Sequence, residues 1–534
     1  MRPRRMAPLL VALLMLAVVG AGCGGGSASR GGKPTTSGGA RGGGAGRAGS
    51  GTSLTIGSQV APPTLDLTSN PAAAIDEVLD YNVYQHLYEL DPAGKLVPVL
   101  ATSYSLSNGR RTYTFTIRKK VRFSNGDPLT PSDVVYSLER VTRPGSTYPY
   151  KDLMSEVRSV RAVGDDEVAV TLSHPDWEWL FDLAAYSDGV VLDPKAVGRI
   201  ATHPVGTGPF AFKSFTPNYA VTLVRNPYYW GPKPQLSEVT WRYFSSADAE
   251  NAALQSGQLN VIDNEPVPQD VARFKRDPRF QVIDGRTNGK VQLSINNAYG
   301  PLRDKLVRQA ICYATDKRAI IDAASAGYGV PLGSDSVPGD PYYLDLARTY
   351  PYNPRRAKAL LARAGYPHGF RVTITLPPYS YAQVSGPLIA AELQAVGITA
   401  TIKNIQWPLW LSQVFAHRDF QLTIVDHAEA RDISNYATPG YYWNFAHTAQ
   451  VARLLQAGDE APTRAQWIAD YRQALRLITS QAVNDWLYVL PQLTVAQAGL
   501  VGLPTSGLTE SFPVQYIRYG GHVPAPVAHQ GYSS

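Results

Sequence analysis

The side chains able to do chemistry are plentiful in this chain, but their spacing does not assemble a reaction centre. The nine histidines are scattered, with no HExxH pair and no two at ligand spacing on one helical face, so a zinc-hydrolase motif is absent. There is no GxSxG elbow, nor the SxxK expected of an exported penicillin-interacting enzyme. Gly206-Thr-Gly-Pro-Phe210 contains GxG, yet Pro209 and the missing third glycine exclude a dinucleotide loop, and a tight turn between lobes is the expectation. Gly32-Lys33-Pro34 lacks the first glycine of a phosphate loop and has Pro where Ser or Thr is needed. Acids are frequent, but no carboxylate pair is singled out by spacing. The two cysteines are Cys23 and Cys312; a disulfide framework and a cysteine zinc site are both excluded, and Cys312, in an apolar helical run, is expected in the core. Triads can be built from distant residues, so an exported hydrolase stays open as the minor reading. The other reading is a binder that performs no chemistry and needs no cofactor or metal.

The aromatic residues suit such a role. There are 31 Tyr and 9 Trp against 14 Phe, and rings that are apolar and hydrogen-bonding at once fit a binding cleft. The formal charge of +7 points to nucleic acid until it is located. Arg2, Arg4, Arg5, Arg30, Lys33, Arg41 and Arg47 account for all of it, and beyond residue 53 the remaining cations balance the 43 acids. No nucleic-acid partner is therefore expected.

The elements that must position a binding site occupy most of the 534 residues, enough for two or three lobes. Residues 1–22 read as an export signal: a basic start, then an uncharged apolar run over 7–19 too short to span a bilayer. Gly20-Ala21-Gly22-Cys23 resembles a lipoprotein processing site, with Gly20 where Leu, Val or Ile is usual; this implies lipidation at Cys23 and anchoring on the extracytoplasmic side of the cell membrane. Residues 23–53 form a Gly/Ser-rich leash. Strands are predicted over 54–60, 113–118, 259–262, 370–376, 398–405 and 420–425. Helices are predicted from the Thr130-Pro131-Ser132-Asp133 start, over 246–256, over 306–324 with a break near Asp316, over 355–364 and over 388–396. Residues 353–426 thus have βαβ character.

Several segments, in order, resemble the family 5 extracellular solute-binding proteins of ABC importers. They are Val121-Arg-Phe-Ser-Asn-Gly-Asp-Pro128 with Leu129-Thr-Pro-Ser-Asp-Val134, Gly206-Thr-Gly-Pro-Phe210, Arg225-Asn-Pro-Tyr-Tyr-Trp230, Val307-Arg-Gln-Ala310 with Ala314-Thr-Asp-Lys-Arg318, and Ala364-Gly-Tyr-Pro-His-Gly-Phe370. The resemblance covers roughly residues 54–515. It implies an α/β, periplasmic-binding-protein-like fold: two lobes on a hinge, with an extra subdomain in lobe one. Lobe one would be 54–288 with an insert at about 86–200, lobe two 289–498, and 499–534 a return to lobe one. The implied function is capture of short peptides between closing lobes by a monomer and delivery to permease subunits in the membrane. A nickel chelate, haem, opine or sugar would use the same fold with another pocket, and a sensor role would use the same closure.

The resemblance also implies site residues. By register, Glu429 takes the place of the acid that binds the peptide amine, Asp432 that of an Asp-Pro aspartate, and Asp426 is a nearby alternative. The family's Gly-Trp is absent here, and Ile433 stands where Pro is expected. Trp407, Trp410, Tyr441, Tyr442 and Trp443 flank this segment and either line side-chain pockets or fill the core. Asp66, ending Pro62-Pro-Thr-Leu-Asp66, either faces the cleft or caps a turn.

Overall fold

The computed structural model describes residues 53–520; the expected signal, Cys23 lipidation and leash lie outside them. Two separate sheets carry the two bodies. The first has eight strands, in the order Ser506–Gly507, Phe280–Thr287, Gln492–Gln497, Val261–Ile262, Ser53–Ser58, Glu238–Tyr243, Ala220–Arg225 and Phe210–Thr216. The second has six: Val330–Pro331, Asn484–Val489, Lys290–Ile295, Leu422–His427, Phe370–Leu376 and Ile398–Asn404. A further four-stranded antiparallel sheet, Ala101–Ser107, Thr112–Ile117, Glu167–Leu172 and Val157–Val163, lies between strands of the first. It is packed by the helices Pro131–Thr142 and Trp179–Ala185 into a core of its own around Phe115, Val134 and Trp179. The Pro131 helix starts as its sequence requires, with Asp133 Oδ2 accepting from the Thr130 amide at 2.8 Å.

The chain passes between the large sheets twice. One crossing joins Phe280–Thr287 to Lys290–Ile295, and the other joins Asn484–Val489 to Gln492–Gln497. They run side by side, the Leu490 amide donating to the Gly289 carbonyl at 2.9 Å. The second crossing therefore falls at 490–491, ahead of the boundary expected at 498. The run Trp486–Val495 is uncharged through both strands, so composition does not mark the passage; Pro491 sits in it.

In lobe two the 306–324 run is two helices, Lys305–Ala314 and Lys317–Ser325, with Asp316 capping the second through the Arg318 and Ala319 amides. Cys312 is fully buried there. The helix expected at 388–396 begins earlier, at Ser380, and carries Pro387 inside it; packing of Ala382, Ile389 and Leu393 on the sheet outweighs the breaker signal of Ser385-Gly-Pro387. The strand expected at 420–425 is Leu422–His427, which puts Asp426 and His427 on the sheet rather than in the loop.

Candidate functional site

The segment 426–432 stands where lobe two meets the insert. Its strand pairs antiparallel with Lys290–Ile295, and the register sets Lys290 opposite His427. Lys290 is a lone cation at the head of a wholly buried strand, so its ammonium needs a partner. Lys290 Nζ lies 2.7 Å from Asp432 Oδ1 and donates to the Glu429 carbonyl at 2.8 Å. His427 Nδ1 is 3.4 Å from Asp432 Oδ2, and its Nε2 is 2.9 Å from the Tyr442 hydroxyl, which is itself 2.7 Å from Ser294 Oγ. Burial works against the charge on all three groups. The mutual attraction outweighs it: the Asp432 carboxyl is held below the usual carboxylate range, and Lys290 and His427 bind their protons more tightly than usual. Asp432 is thus engaged by an internal pair. Asp335 is buried nearby, and burial followed by the Asp432 charge, partly offset by Lys290 and His427, pushes it up to about 8.

Arg431 turns the other way, out of a left-handed backbone position (φ 52°). Its Nη1 meets Glu178 Oε1 of the insert at 3.2 Å, and its guanidinium lies 3.4 Å from the centre of the Phe181 ring. Tyr186 Oη donates to the Ala430 carbonyl at 2.8 Å. A second bridge lies farther along: Arg110 donates to the Asp459 and Ala461 carbonyls, stacks on Trp177, and Trp177 stacks on Trp467. The insert therefore grips lobe two at two places.

Glu429 keeps an exposed carboxylate, its side chain 52 % accessible, with His427 Nδ1 4.0 Å from its Oε2. Glu510 of lobe one feels its charge. The segment after Glu510 is laced onto the helix Ala73–Leu79 and the turn that follows it, through Phe512 N to Glu77 O (3.0 Å) and Val514 N to Asn82 Oδ1 (2.9 Å). This brings Glu510 against Asp76 on that helix. Tyr150 and Tyr186 of the insert feel the Glu429 charge as well. Three parts of the chain therefore converge on Glu429. Asp426 is half-buried at the strand end, close to the hinge: a Cβ on Gly289 would stand 2.8 Å from its Oδ1. Burial, partly offset by Lys290 and His427, raises Asp426 to about 7.

The aromatic residues divide. Trp410, Tyr442 and Trp443 are buried in the second core of lobe two, with Trp410 Nε1 donating to Thr423 Oγ1 at 2.9 Å and Trp443 stacked 4.4 Å from Tyr436. Trp407 and Tyr441 pack on that core and stay half-exposed. Asp66 caps its own turn, accepting from the Thr68 amide at 2.9 Å and from Ser69 Oγ at 2.8 Å. His427, Glu429 and Asp432 offer ligand atoms within 4.8 Å of one another. The Lys290 ammonium already supplies the positive charge at Asp432, so this trio does not fit a metal ion.

Lys290, Glu178, Arg431, Glu510 and Asp76 were not among the residues expected from the sequence. A single lysine heading an otherwise uncharged strand was a usable signal for the first. The others pair residues hundreds of positions apart, and no local pattern announces them.

The family model for bacterial extracellular solute-binding proteins, family 5, matches residues 95–452. A haem-binding protein A from Haemophilus influenzae is 31 % identical over 63 % of this chain and 68 % of its own length. The glutathione-binding protein GsiB of Escherichia coli is 28 % identical over 61 % of this chain and 65 % of its own. The chain thus spans about two thirds of the length of these curated relatives. The periplasmic binding protein AgaA from A. tumefaciens R10, solved with agropinic acid, superposes with a TM-score of 0.74 at 26 % identity, covering 88 % of this chain and 99 % of that one. With the two-bodied fold and its paired hinge segments, these likenesses make the chain a member of the family 5 bacterial extracellular solute-binding proteins.

Proposed function

We propose that this protein is the solute receptor of an ABC importer, anchored to the membrane through Cys23, and that it captures short peptides between its lobes for delivery to the permease. The observation that carries the reading is the exposed Glu429 carboxylate at the junction of both lobes and the insert, beside neighbours already committed to Lys290 and Glu178. Beyond His427 Nδ1, 4.0 Å from its Oε2, this exposed carboxylate keeps a face to solvent, and a carboxylate is the group that a terminal ammonium requires once water is excluded. Half-buried Tyr441, Tyr150 and Tyr186, which feel the Glu429 charge, give amphipathic walls tolerant of different side chains. Short peptides also agree with the glutathione-binding relative, glutathione being a modified tripeptide. Glu429 would hold the amine and the hinge would close over the guest, which leaves unaltered.

Native mass spectrometry of the full chain, extracted gently and sprayed intact, tests this. Adducts with tripeptide- to hexapeptide-sized masses that are displaced by a peptide pool support it. An adduct with the mass of haem or of an opine, or a chain that accepts no peptide at millimolar concentration, overturns it.

A further inference from the structure

His427 stands between two acids. Its Nδ1 is 3.4 Å from Asp432 Oδ2 and 4.0 Å from Glu429 Oε2, and its side chain is only 9 % accessible. The acids are not equivalent. Asp432 already holds the Lys290 ammonium on its other oxygen, at 2.7 Å. Among the described residues, His427 is the one ion-pair partner of Glu429.

The far side of the ring meets a buried relay. His427 Nε2 lies 2.9 Å from the Tyr442 hydroxyl, which lies 2.7 Å from Ser294 Oγ, and Gln292 Nε2 donates to that oxygen at 2.9 Å. Either hydroxyl can donate to the other, so the relay runs in both directions. Beside an imidazolium, Nε2–H donates to Tyr442 and Tyr442 donates to Ser294. Beside a neutral ring, Ser294 donates to Tyr442 and Tyr442 donates to Nε2. The ring therefore stays hydrogen-bonded, in one place, in both charge states. In the empty receptor burial opposes its charge, and Tyr442, Asp432 and Glu429 outweigh that. An ammonium docked on Glu429 reverses the balance. Two like charges about 6 Å apart, at an effective dielectric of about 20, shift a proton equilibrium by about a hundredfold.

We propose that His427 is a positioning residue that couples guest capture to proton release: its imidazolium neutralises Glu429 in the empty receptor, the guest's ammonium takes over that place, and the Nε2 proton leaves to solvent. One cation enters and one proton departs, so the net charge of the site is unchanged, and neutral His427 keeps Nδ1–H toward Asp432. This rests on the reading of Glu429 as the amine-binding acid. Affinity for an amine guest then rises with pH while His427 is charged. The other groups facing the ring are Lys290, opposite it in the strand register, Asp426 on its own strand, and Asp335 from the loop after Val330–Pro331. Lys290 stays paired with Asp432; the two acids are rival proton sources.

Calorimetric titration of the full chain with trialanine at pH 6.5, in phosphate and in Bis-Tris, counts the protons released per guest. The inference expects about half a proton or more, and an affinity that climbs about five- to tenfold from pH 5.5 to pH 6.5. N-acetyltrialanine, which carries no ammonium, should release none. His427→Gln should release under about a fifth of a proton, climb less than about twofold, and bind trialanine more tightly than the parent at pH 5.5. Asp426→Asn and Asp335→Asn should keep the parent's release. A histidine with only a structural role would lose affinity at every pH and leave the count unchanged. The parent's count decides the matter even if His427→Gln melts early. Trialanine binding without proton release overturns the inference and leaves the amine site standing. Release that survives His427→Gln, or accompanies N-acetyltrialanine, also overturns it. A chain that binds neither trialanine nor longer peptides overturns the peptide reading and this inference with it.

Discussion

Replacing Glu178 with glutamine removes one partner of a charge pair that joins two bodies of the protein. The Arg431 side chain is 9 % accessible, and its Nη1 lies 3.2 and 3.4 Å from the two Glu178 oxygens. Removing one member of a buried pair typically costs about 3–5 kcal/mol. Asp340 remains 3.8 Å from Arg431 Nε, and the Phe181 ring stays beneath the guanidinium, so the cost falls to about 2–3 kcal/mol, at or below the bottom of that range. Arg431 belongs to lobe two and Glu178 to the insert, so opening returns both to water. The penalty therefore falls on closure and not on the folding of either body. At about 1.4 kcal/mol per factor of ten, guest affinity should drop by about 30- to 150-fold, mainly through faster release. Titration calorimetry with the guest recovered from the parent chain reads this directly, with a guest-free melting curve as control. Affinity within threefold of the parent would refute the reasoning. So would a large loss of guest-free stability, which would make the pair part of folding.

Three further outcomes follow from the same contacts. Lys290→Met should destabilise the guest-free chain by about 3–5 kcal/mol in urea unfolding, because Asp432 loses its ammonium in a buried setting; the double change with Asp432→Leu should recover most of the loss, and a double variant as unstable as the single would contradict the account. Gly208→Ala should lower the melting temperature sharply, since a Cβ there would stand 2.4 Å from the Asn82 carbonyl oxygen; a melt within two degrees of the parent would show that the close approach is not needed. Guest-free stability should fall between pH 5 and pH 8. Asp426, Glu510 and Asp188 have folded values of about 7, 7 and 8 against about 4 unfolded; being raised, they contribute stability that is full below the unfolded value and lost as pH rises through the folded ones. Urea midpoints that stay flat or climb over that range would contradict these positions.

Much of the fold was legible because local rules and packing agree in it. Thr130-Pro131 and Asp316 start helices, Phe370–Leu376 alternates, and Gly257 and Gly365 end helices at φ near +80°. Failures came where tertiary packing overrode a local signal, as at Pro387, or where one apolar run served two sheets, as across Pro491. The segment 426–432 was legible as an address, but the division of labour within it was not. The resemblance assigned Glu429 the amine and Asp432 the Asp-Pro position, but no local pattern showed that Lys290, 142 positions earlier, engages Asp432 and leaves Glu429 exposed. Glu510 and Asp76 were invisible for the same reason, since backbone lacing between distant segments brings them together.

The central claim is that the two bodies close on a small guest across the paired crossings at 287–290 and 489–492. Small-angle scattering of the full chain, stripped of guest by mild unfolding and refolding and then titrated with the recovered guest, addresses it in one experiment. The account predicts a radius of gyration that shrinks saturably with guest, with the guest recovered chemically intact. A radius indifferent to the guest, or a guest returned cleaved, would contradict it.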